Sequence, residues 1–519
     1  MTLRPTFVPT RARHYRRPGG PWDGPSLDMV LARGPGGATA DRLVDGDVRL
    51  DGGAVEDRVA ALAGGLRARG VRAGDVVAWQ LPNGHEAVLL YRACWRLGAV
   101  AAPVHHGAGA ADVVAALEQV EPRLSLAAAD LPLAELRPSV TVRGPGDGFA
   151  ALLDSNAPVP LATSAGRPHH LAAVLFTSGS TGTPKGVLHT QRALAYKAGV
   201  MARAHGLSAT DAVLMPAPLA HVSGLLNGIL VPGAAGMKAV LMAKWDPDRA
   251  LDLVAGEAVS FMIGPPTFFV GLTGAATYSA KRVASLRLVS SGGAGVSAAF
   301  VEHARQTLGS QVKRTYGSTE APTVTTSTAA DPPDRARDTD GHVVSEAELR
   351  VSDPATGRAL PSGQVGELWL RGPELFVGYV DADLTRASLA RGGWFRTGDL
   401  ASVDGDGWLT VAGRIKDVII RAGENIAAAE VEAVLEAHPA VRQAVAVGQP
   451  DERLGERVAA FVVTTGPFDL ETCRAWFAER GVTRFKTPER VVRVDELPLL
   501  ATGKPDRAAL RRRLVEEGR

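Results

Sequence analysis

LFTSGSTGTPKGV, residues 175–187, places three glycines, two serines, three threonines and a lysine behind two apolar residues. The apolar run at residues 171–176 predicts a short buried strand directly before the turn. A Gly-rich turn after a strand leaves backbone N–H groups unpaired, and these groups can converge on an anion. The stretch therefore predicts a phosphate-binding loop, and the apolar residues on both sides of it argue against a flexible linker.

This loop differs from the common P-loop of nucleotide-binding proteins. That motif requires Gly-Lys followed by Ser or Thr, whereas Lys185 lies between a proline and a glycine. Lys185 can still supply a point charge to a phosphate, and the hydroxyls of Thr177, Ser180 and Thr181 can donate hydrogen bonds to its oxygens. The sequence thus predicts a nucleotide held by another kind of loop.

Composition narrows the class of protein. The 519 residues suffice for roughly three domain-sized units. The 57 basic and 55 acidic side chains nearly cancel, which argues against nucleic acid or an anionic membrane as a partner. No apolar run is long enough to span a bilayer. Cys94 and Cys473 lie too far apart for a zinc site or a disulfide framework and suit a reducing cytoplasm.

The pattern along the chain predicts two domains. Short apolar strands alternate with Ala-rich helices from about residue 50, which is typical of an α/β domain with largely parallel sheets. The polar, Pro-rich residues 327–342 predict a surface loop, and the chain then becomes strand-rich. We predict an α/β fold with a large N-terminal domain (1–414) of α/β subdomains plus a β-rich subdomain. A hinge joins it to a small, mobile C-terminal α/β domain (415–519).

Six further motifs follow the quoted loop: PLAHVSG, SSGGA, YGSTE, GWFRTGD, GRIKDVIIRAGENI and ATGK. In this set and order the sequence resembles the adenylate-forming superfamily of acyl-CoA synthetases, nonribosomal-peptide adenylation domains and firefly luciferases. The resemblance covers nearly the whole chain. It implies an AMP-forming carboxylate–CoA ligase that uses ATP, Mg²⁺ and coenzyme A.

The resemblance assigns roles to residues of each motif. Expected catalytic residues are His221, Thr319, Glu320 and Lys504, and the expected Mg²⁺ ligands are Glu320 and Thr177. Expected ATP- and CoA-binding residues are Thr177, Ser178, Gly179, Ser180, Thr181, Gly182, Lys185, Gly292, Gly293, Ala294, Tyr316, Gly317, Ser318, Asp399, Arg414, Lys416, Gly423 and Glu424.

The chemistry of these residue types agrees with those roles. Tyr316 and the glycines of SSGGA can enclose a flat adenine ring, and Asp399 can accept hydrogen bonds from both ribose hydroxyls. The compact ammonium of Lys504 suits a transient contact between the acid and the α-phosphate. The resemblance implies that the C-terminal domain then rotates about Lys416 and presents Gly423 to the CoA arm.

His221 concerns the choice of acid. Adenylation domains for amino acids usually have an Asp in this motif, because a buried ammonium needs a carboxylate partner. His221 offers no such partner, which predicts a plain carboxylic acid; the alternative interpretation is a histidine packed in the core. Ser223, Gly224 and Asn227 are compatible with a medium-chain, alicyclic or aromatic acid.

Two alternatives stay open. A stand-alone enzyme could transfer the acyl group to a carrier protein, and HYRRPGGPW (residues 14–22) resembles aryl-acid adenylating enzymes. A non-catalytic nucleotide-binding relative is the other possibility, against which the joint presence of Glu320, Asp399 and Lys504 argues. We expect a small-molecule acid, ATP and CoA as partners, with a homodimer as an option. The pairs at residues 105–106 and 169–170 are assigned no metal role.

Overall fold

The structure is a computed structural model that describes residues 3–32, 41–137, 140–143, 147–154, 157–161, 170–178, 184–293, 295–451, 453–500 and 504–516. The α-helices are α1 (Ala12–Tyr15), α2 (Leu27–Ala32), α3 (Gly52–Ala68), α4 (His85–Leu97), α5 (Ala110–Val120), α6 (Pro132–Leu136), α7 (Gly148–Leu153), α8 (Gln191–Ala204), α9 (Val222–Leu225), α10 (Val231–Ala235), α11 (Pro247–Gly256), α12 (Pro266–Gly274), α13 (Ala298–Leu308), α14 (Pro333–Asp338), α15 (Ala382–Ser388), α16 (Ala428–Glu436), α17 (Leu470–Glu479) and α18 (Arg507–Glu516). A π-helix covers Leu226–Leu230, and 3₁₀ turns cover Ala280–Val283, Ile415–Asp417 and Arg484–Lys486.

The strands alternate with these helices in the first two thirds of the chain. They are β1 (Asp41–Asp45), β2 (Val48–Asp51), β3 (Val76–Gln80), β4 (Val100–Val104), β5 (Leu124–Ala128), β6 (Val140–Val142), β7 (Leu171–Ser178), β8 (Pro184–Thr190), β9 (Ala212–Met215), β10 (Lys238–Leu241), β11 (Phe261–Gly264), β12 (Leu288–Gly292), β13 (Gln311–Tyr316), β14 (Thr325–Thr326), β15 (His342–Val343), β16 (Glu348–Ser352), β17 (Gly366–Arg371), β18 (Leu389–Ala390), β19 (Trp394–Val403), β20 (Leu409–Arg414), β21 (Val418–Arg421), β22 (Glu424–Ala427), β23 (Val441–Asp451), β24 (Gly455–Thr464) and β25 (Arg490–Arg493).

Two mixed sheets form the α/β part of the N-terminal region. One has the order β6-β5-β3-β4-β7-β8 and the other the order β15-β14-β13-β12-β11-β9-β10-β1-β2. The inner strands pair in parallel, and antiparallel partners occur at the edges. A continuous apolar core lies between the sheets around α3, α4 and α8. The predicted α/β class with largely parallel sheets is confirmed.

The remaining strands form two antiparallel-rich sheets. β16 to β20 build the β-rich subdomain. β21 to β25 form a separate sheet with its own apolar core against α16 and α17, so the chain has a large N-terminal domain and a smaller C-terminal one. The turn Ile415–Asp417 lies between β20 and β21. The hinge at Lys416 and the boundary between residues 414 and 415 stay predictions.

The prediction of a surface loop for residues 327–342 is wrong in part. The prolines that suggested a loop lie at the start of α14, where the missing N–H of proline disrupts no helical hydrogen bond. Ser327 is fully buried, and Asp340 forms a buried ion pair with Arg314 at 3.0 Å. The sequence pattern missed this packing because the segment has a polar composition.

Two other predictions can be compared with the described residues. Within the described residues, Cys94 and Cys473 are buried and form no disulfide. No helix among these residues combines the length and the apolar character needed to cross a membrane. In the N-terminal segment, Tyr15 packs edge-on against Trp22, whose indole N–H donates to the carbonyl of Pro373 at 3.0 Å.

Candidate active site

The hairpin β7–β8 carries the ends of the Gly-rich loop. Thr177 pairs with Lys185 across the antiparallel ladder, and both side chains are half-buried. Ser178 is the last residue of β7. The strand predicted before the loop is therefore present. The predicted phosphate-binding residues Gly179, Ser180, Thr181 and Gly182 lie outside the described residues.

The end of β12 brings the backbone close to two neighbours. A Cβ atom on Gly292 would lie 2.3 Å from the carbonyl oxygen of Thr315, so only glycine fits there. Gly293 has a φ of +79°, and a Cβ atom on it would lie 3.1 Å from Cε and 3.5 Å from Nζ of Lys504. SSGGA and ATGK, which are about two hundred residues apart in sequence, therefore meet in space. Ala294 lies outside the described residues.

Three motifs converge on Asp399. Tyr316, at the end of β13, donates its hydroxyl to Oδ2 of Asp399 at 2.7 Å, and Nε of Arg414 lies 3.2 Å from Oδ1. Burial raises the pKa of Asp399, while the positive charge of Arg414 opposes that shift. The backbone N–H of Asp399 donates to the hydroxyl of Thr397 at 3.0 Å. The carboxylate is thus held in one orientation before any ligand binds.

Glu320 lies in a turn fixed by hydrogen bonds. The N–H of Ser318 donates to the carbonyl of Ala321 at 2.9 Å, and the N–H of Phe376 donates to the carbonyl of Glu320 at 2.8 Å. The hydroxyl of Tyr379 donates to Oε1 of Glu320 at 2.8 Å. Oε1 of Glu320 is therefore oriented, and Oε2 forms no hydrogen bond with any described residue. A half-buried carboxylate of this kind is suited to a hard cation such as Mg²⁺.

Thr319 is buried next to this carboxylate. Its carbonyl is 2.8 Å from Nε2 of His189, a fully buried residue of β8. Gly317 is equally constrained, because a Cβ atom there would lie 2.3 Å from the backbone nitrogen of Thr323. The YGSTE turn is therefore rigid and joined to β8.

Lys504 reaches this centre from the C-terminal domain. Its own carbonyl accepts from the N–H of Leu500 at 2.7 Å, which joins the backbones of these two residues. Burial lowers the pKa of Lys504 to about 8, as does the charge of Arg414, while Asp399 and Glu320 act in the opposite direction. The ammonium thus lies within electrostatic range of the groups that the other motifs bring together.

His221 is held at the N-terminus of α9. Its Nδ1 accepts from the N–H of Ser223 at 3.3 Å, so the neutral ring carries its proton on Nε2. Burial lowers the pKa of His221 to about 3, and the charges of Lys504 and His105 add to that effect. His105 stacks on His106 with ring centroids 4.5 Å apart, and burial lowers the pKa of His105 to about 4. The rings of His221 and His105 are therefore neutral near pH 7.

The remaining predicted residues lie elsewhere. Gly423 forms the turn between β21 and β22 with a φ of +89°, and no described atom lies within 4 Å of the position of its Cβ. Glu424 is exposed beside it. Lys416 is also exposed, but its charge contributes to the lowered pKa of Lys504. The structure therefore brings Lys504 to Gly293 and does not bring the Gly423 turn there.

Comparison with known families decides the membership of this chain. The model of the AMP-binding enzyme family matches residues 32–380, and that of the AMP-binding enzyme C-terminal domain matches residues 430–504. The chain belongs to the AMP-binding enzyme family. The predicted superfamily and the acid–thiol ligase class are thereby confirmed, and the use of ATP and CoA agrees with them.

Named relatives of this family align along most of the chain. The medium-chain fatty-acid–CoA ligase of Escherichia coli K12 is 34% identical over 485 residues, which cover 89% of this chain and 85% of that protein. The indoleacetate–CoA ligase of Aromatoleum aromaticum is 33% identical over 468 residues, or 86% and 89% of the two chains. The crystal structure of ATP-bound MatB from Rhodopseudomonas palustris superposes with a TM-score of 0.86 at 26% identity, covering 95% of this chain and 99% of that one.

Sequence reasoning missed three residues of the site. Thr397 lies within GWFRTGD, and its position two residues before Asp399 could have suggested a supporting hydroxyl. His189 follows the Gly-rich loop but has no local motif. Tyr379 is 59 positions from Glu320, and nothing in the surrounding sequence indicates the contact.

Proposed function

We propose that this AMP-binding enzyme is an ATP- and Mg²⁺-dependent carboxylate–CoA ligase for a medium-chain, alicyclic or aromatic acid without a charged amino group. In the first half-reaction a carboxylate oxygen attacks the α-phosphorus of ATP, and pyrophosphate leaves. In the second, the sulfur of CoA attacks the acyl carbon, AMP leaves, and the thiol proton goes to solvent. Two relatives are a medium-chain fatty-acid–CoA ligase and an indoleacetate–CoA ligase, and their names support both the thioester product and this range of acids.

The position of Lys504 is the observation on which the proposal chiefly depends. Its ammonium reaches Gly293 and is influenced by Asp399 and Glu320. A cation at this point can neutralise charge that develops between the acid carboxylate and the α-phosphate. Asp399, oriented by Tyr316 and paired with Arg414, accepts hydrogen bonds from the ribose hydroxyls.

Glu320 and Thr177 are the residues that would hold Mg²⁺. The ion supplies charge neutralisation on the phosphate oxygens when it is bound. The oriented carboxylate of Glu320 is compatible with this role, because Tyr379 fixes one oxygen and leaves the second available.

The surroundings of His221 support an acid without an α-amino group. The charge that acts on this neutral ring near pH 7 comes from Lys504, and it disfavours a further cation. An α-ammonium would need a carboxylate partner to be buried here. A neutral hydrocarbon or aromatic group has no such requirement.

Pyrophosphate exchange over a panel of acids tests this function. We expect exchange with octanoate, cyclohexanecarboxylate or benzoate, and none with free α-amino acids. Efficient exchange with a common amino acid would contradict the proposal, as would the absence of exchange with every acid.

The acceptor needs a second measurement. Thioester formation is compared between free CoA and a carrier protein that bears phosphopantetheine, with the same activated acid. We expect turnover with free CoA. Transfer to the carrier protein alone would favour the alternative of a stand-alone acyl-AMP ligase.

A cytoplasmic location completes the proposal and is supported by the two buried, unpaired cysteines.

A further inference from the structure

A group of buried polar side chains lies beneath the candidate active site. We call Ser290, Lys313, His205 and Ser327 the floor cluster. All four are almost fully inaccessible, with exposed fractions between 0% and 4%. Buried polar groups in proteins normally have hydrogen-bond partners, so a cluster without them needs an explanation.

Most of the donors in the floor cluster are unused. Nζ of Lys313 donates one hydrogen bond, to the carbonyl of Ser327 at 2.5 Å. Within the described part of the chain, the hydroxyls of Ser290 and Ser327 and both ring nitrogens of His205 have no hydrogen-bond partner. Since an ammonium carries three N–H groups and each hydroxyl one O–H, the cluster has donors to spare.

The sheet register places this cluster under the reacting end of the site. Ser290 pairs with Lys313 on the parallel strands β12 and β13, and two residues further on Gly292 pairs with Thr315. Residues two apart on a strand face the same side, and two residues advance a strand by about 7 Å. The polar floor is therefore about 7 Å along the strands from the Gly292–Thr315 pair, and Lys504 lies beside Gly293, the residue that follows this pair.

The C-terminal end of helix α8 lies against the floor cluster. His205 caps its C-terminus and packs on Phe261 of β11 with ring centroids 5.1 Å apart. Burial lowers the pKa of His205 well below its usual value, and Lys313 and Lys197 act in the same direction. The ring is thus neutral and close enough to Lys313 to be affected by its charge.

The ammonium of Lys313 lacks an anionic partner at hydrogen-bond distance among the described residues. Burial lowers the pKa of Lys313 to about 7, and Asp331 partly opposes that shift from a distance. The Asp331 carboxylate is instead occupied by Thr328 and by the ring of His342. An apolar side chain at this position would avoid the cost of burying an ammonium without an anionic partner. A hydrogen-bond acceptor next to Lys313 would therefore account for the lysine.

We infer that the floor cluster is the distal subsite of the acid pocket and binds an oxygen at the far end of the substrate. This inference rests on the proposed function. It narrows the substrate to acids that carry a hydroxyl or a second carboxylate at the end remote from the reacting carboxylate, as in 4-hydroxybenzoate or adipate. Lys313 and Ser290 donate to that oxygen, and His205 supplies one further donor.

Matched pairs of acids test the subsite. Pyrophosphate exchange is measured with 4-hydroxybenzoate against benzoate, and with adipate against hexanoate. We expect the oxygenated member of at least one pair to have a kcat/KM about 10- to 100-fold higher, mostly through KM, because a hydrogen bond to a charged group is involved. Preference in the first pair only identifies a hydroxyl, and preference in the second only identifies a carboxylate.

Lys313→Met separates specificity from folding. The variant fills the same space with an apolar chain, and we expect it to keep its Tm while the preference for the oxygenated acid falls to a ratio near one. His205→Phe, which keeps an aromatic ring against Phe261, should lower the preference less. Lys281→Met, at an exposed lysine of the same domain, is the control and should keep the wild-type ratio.

The possible outcomes distinguish this inference from the proposed ligase function on which it rests. Exchange with benzoate and hexanoate at rates equal to those of their oxygenated partners would overturn the subsite and leave the proposed ligase intact. An unchanged preference in Lys313→Met would also overturn it. A failure of every acid to support exchange would overturn both.

Discussion

Two residues of the C-terminal domain, Lys504 and Gly423, have opposite environments. Lys504 is half-buried, and its ammonium lies beside Gly293 and within range of Glu320 and Asp399. The turn at Gly423 is exposed, and its glycine has a positive φ that only serves a tight backbone bend. The domain therefore presents Lys504 to the site, which is the residue that we propose acts in adenylation.

The contacts between the domains support the same arrangement. Glu436 of α16 is half-buried beside the N-terminal domain, where the side chain of Ser297 hydrogen-bonds to it. A Cβ atom on Gly295 would lie 3.9 Å from Oε2 of Glu432 on the same helix. Lys504 and Gly423 thus differ because the orientation of the domain places Lys504 at the site and leaves Gly423 exposed. A second orientation of the domain could place Gly423 there instead.

Replacing the lysine should have the largest effect on this comparison. We expect Lys504→Ala to lower pyrophosphate exchange by about 100- to 1,000-fold, because the positive charge at the reacting groups is lost. Thioester formation from supplied acyl-AMP should change only a few-fold. Lys244→Ala, at an exposed lysine of the N-terminal domain, should change neither. Equal losses in both half-reactions would mean that Lys504 does not act in adenylation alone.

The metal-binding carboxylate should come next. Glu320→Gln keeps the shape and loses the charge, so we expect exchange to fall by about 10- to 100-fold with a higher requirement for Mg²⁺. Tyr379→Phe removes only the orienting hydrogen bond and should cost less. Activity within a few-fold of wild type for Glu320→Gln at ordinary Mg²⁺ would exclude the metal role.

The pKa of Lys504 predicts a pH effect on one half-reaction. Its ammonium loses a proton as pH rises through about 8, so kcat/KM for exchange should fall above that value, by about tenfold at pH 9. Thioester formation from acyl-AMP should lack this decline. Lys504→Arg should keep its charge and shift the decline to higher pH. A decline of equal size in both half-reactions would assign it to another group.

The smallest effect concerns the contact between the domains. Burial raises the pKa of Glu436 to about 7, and the neighbouring carboxylate of Glu432 adds to the shift. Arg507 pairs with Glu432, while Ser297 and the N–H of Ala444 hydrogen-bond to Glu436. A group with a raised acid pKa binds a proton when it becomes buried, so this arrangement should weaken as pH rises through 7.

Glu436→Gln tests that effect. The amide stays neutral, so the ratio of exchange to thioester formation should vary a few-fold less between pH 6 and 8 than in wild type. Glu479→Gln, at an exposed carboxylate of α17, is the matched control. An unchanged pH profile in Glu436→Gln would show that this contact does not influence the arrangement of the domains.

The sequence predicted the motifs well because each is a local signal. A strand followed by glycines, an isolated acid in YGSTE and a lysine between small residues are all visible within a few positions. Tyr379 and His189 were missed because their contacts with the YGSTE turn connect distant segments. The π-helix at residues 226–230 was missed for another reason, since its apolar sequence favours any buried helix equally.

Burial of charge was the hardest feature to predict. Lys313 lies in QVKRTY, where alternation along a strand normally puts a lysine in solvent. Only the sheet register and the position of α8 reveal that it faces the interior. The short helix α14 was likewise hidden by a polar composition that is typical of loops.

The hinge provides the most direct test of the central claim, which is that this domain orientation serves adenylation and that another serves thioester formation. Lys416 lies in the 3₁₀ turn Ile415–Asp417. Residues of such turns have a φ of about −50° to −70°, a range that includes the value of about −65° that proline imposes. Lys416→Pro should therefore keep the present arrangement and resist the backbone change that a rotation requires.

The decisive measurement determines both half-reactions on Lys416→Pro, by pyrophosphate exchange and by thioester formation from synthetic acyl-AMP. We predict exchange within a few-fold of wild type and a loss of thioester formation by about 100-fold or more. Parallel losses in both half-reactions, or thioester formation at the wild-type rate, would contradict the account.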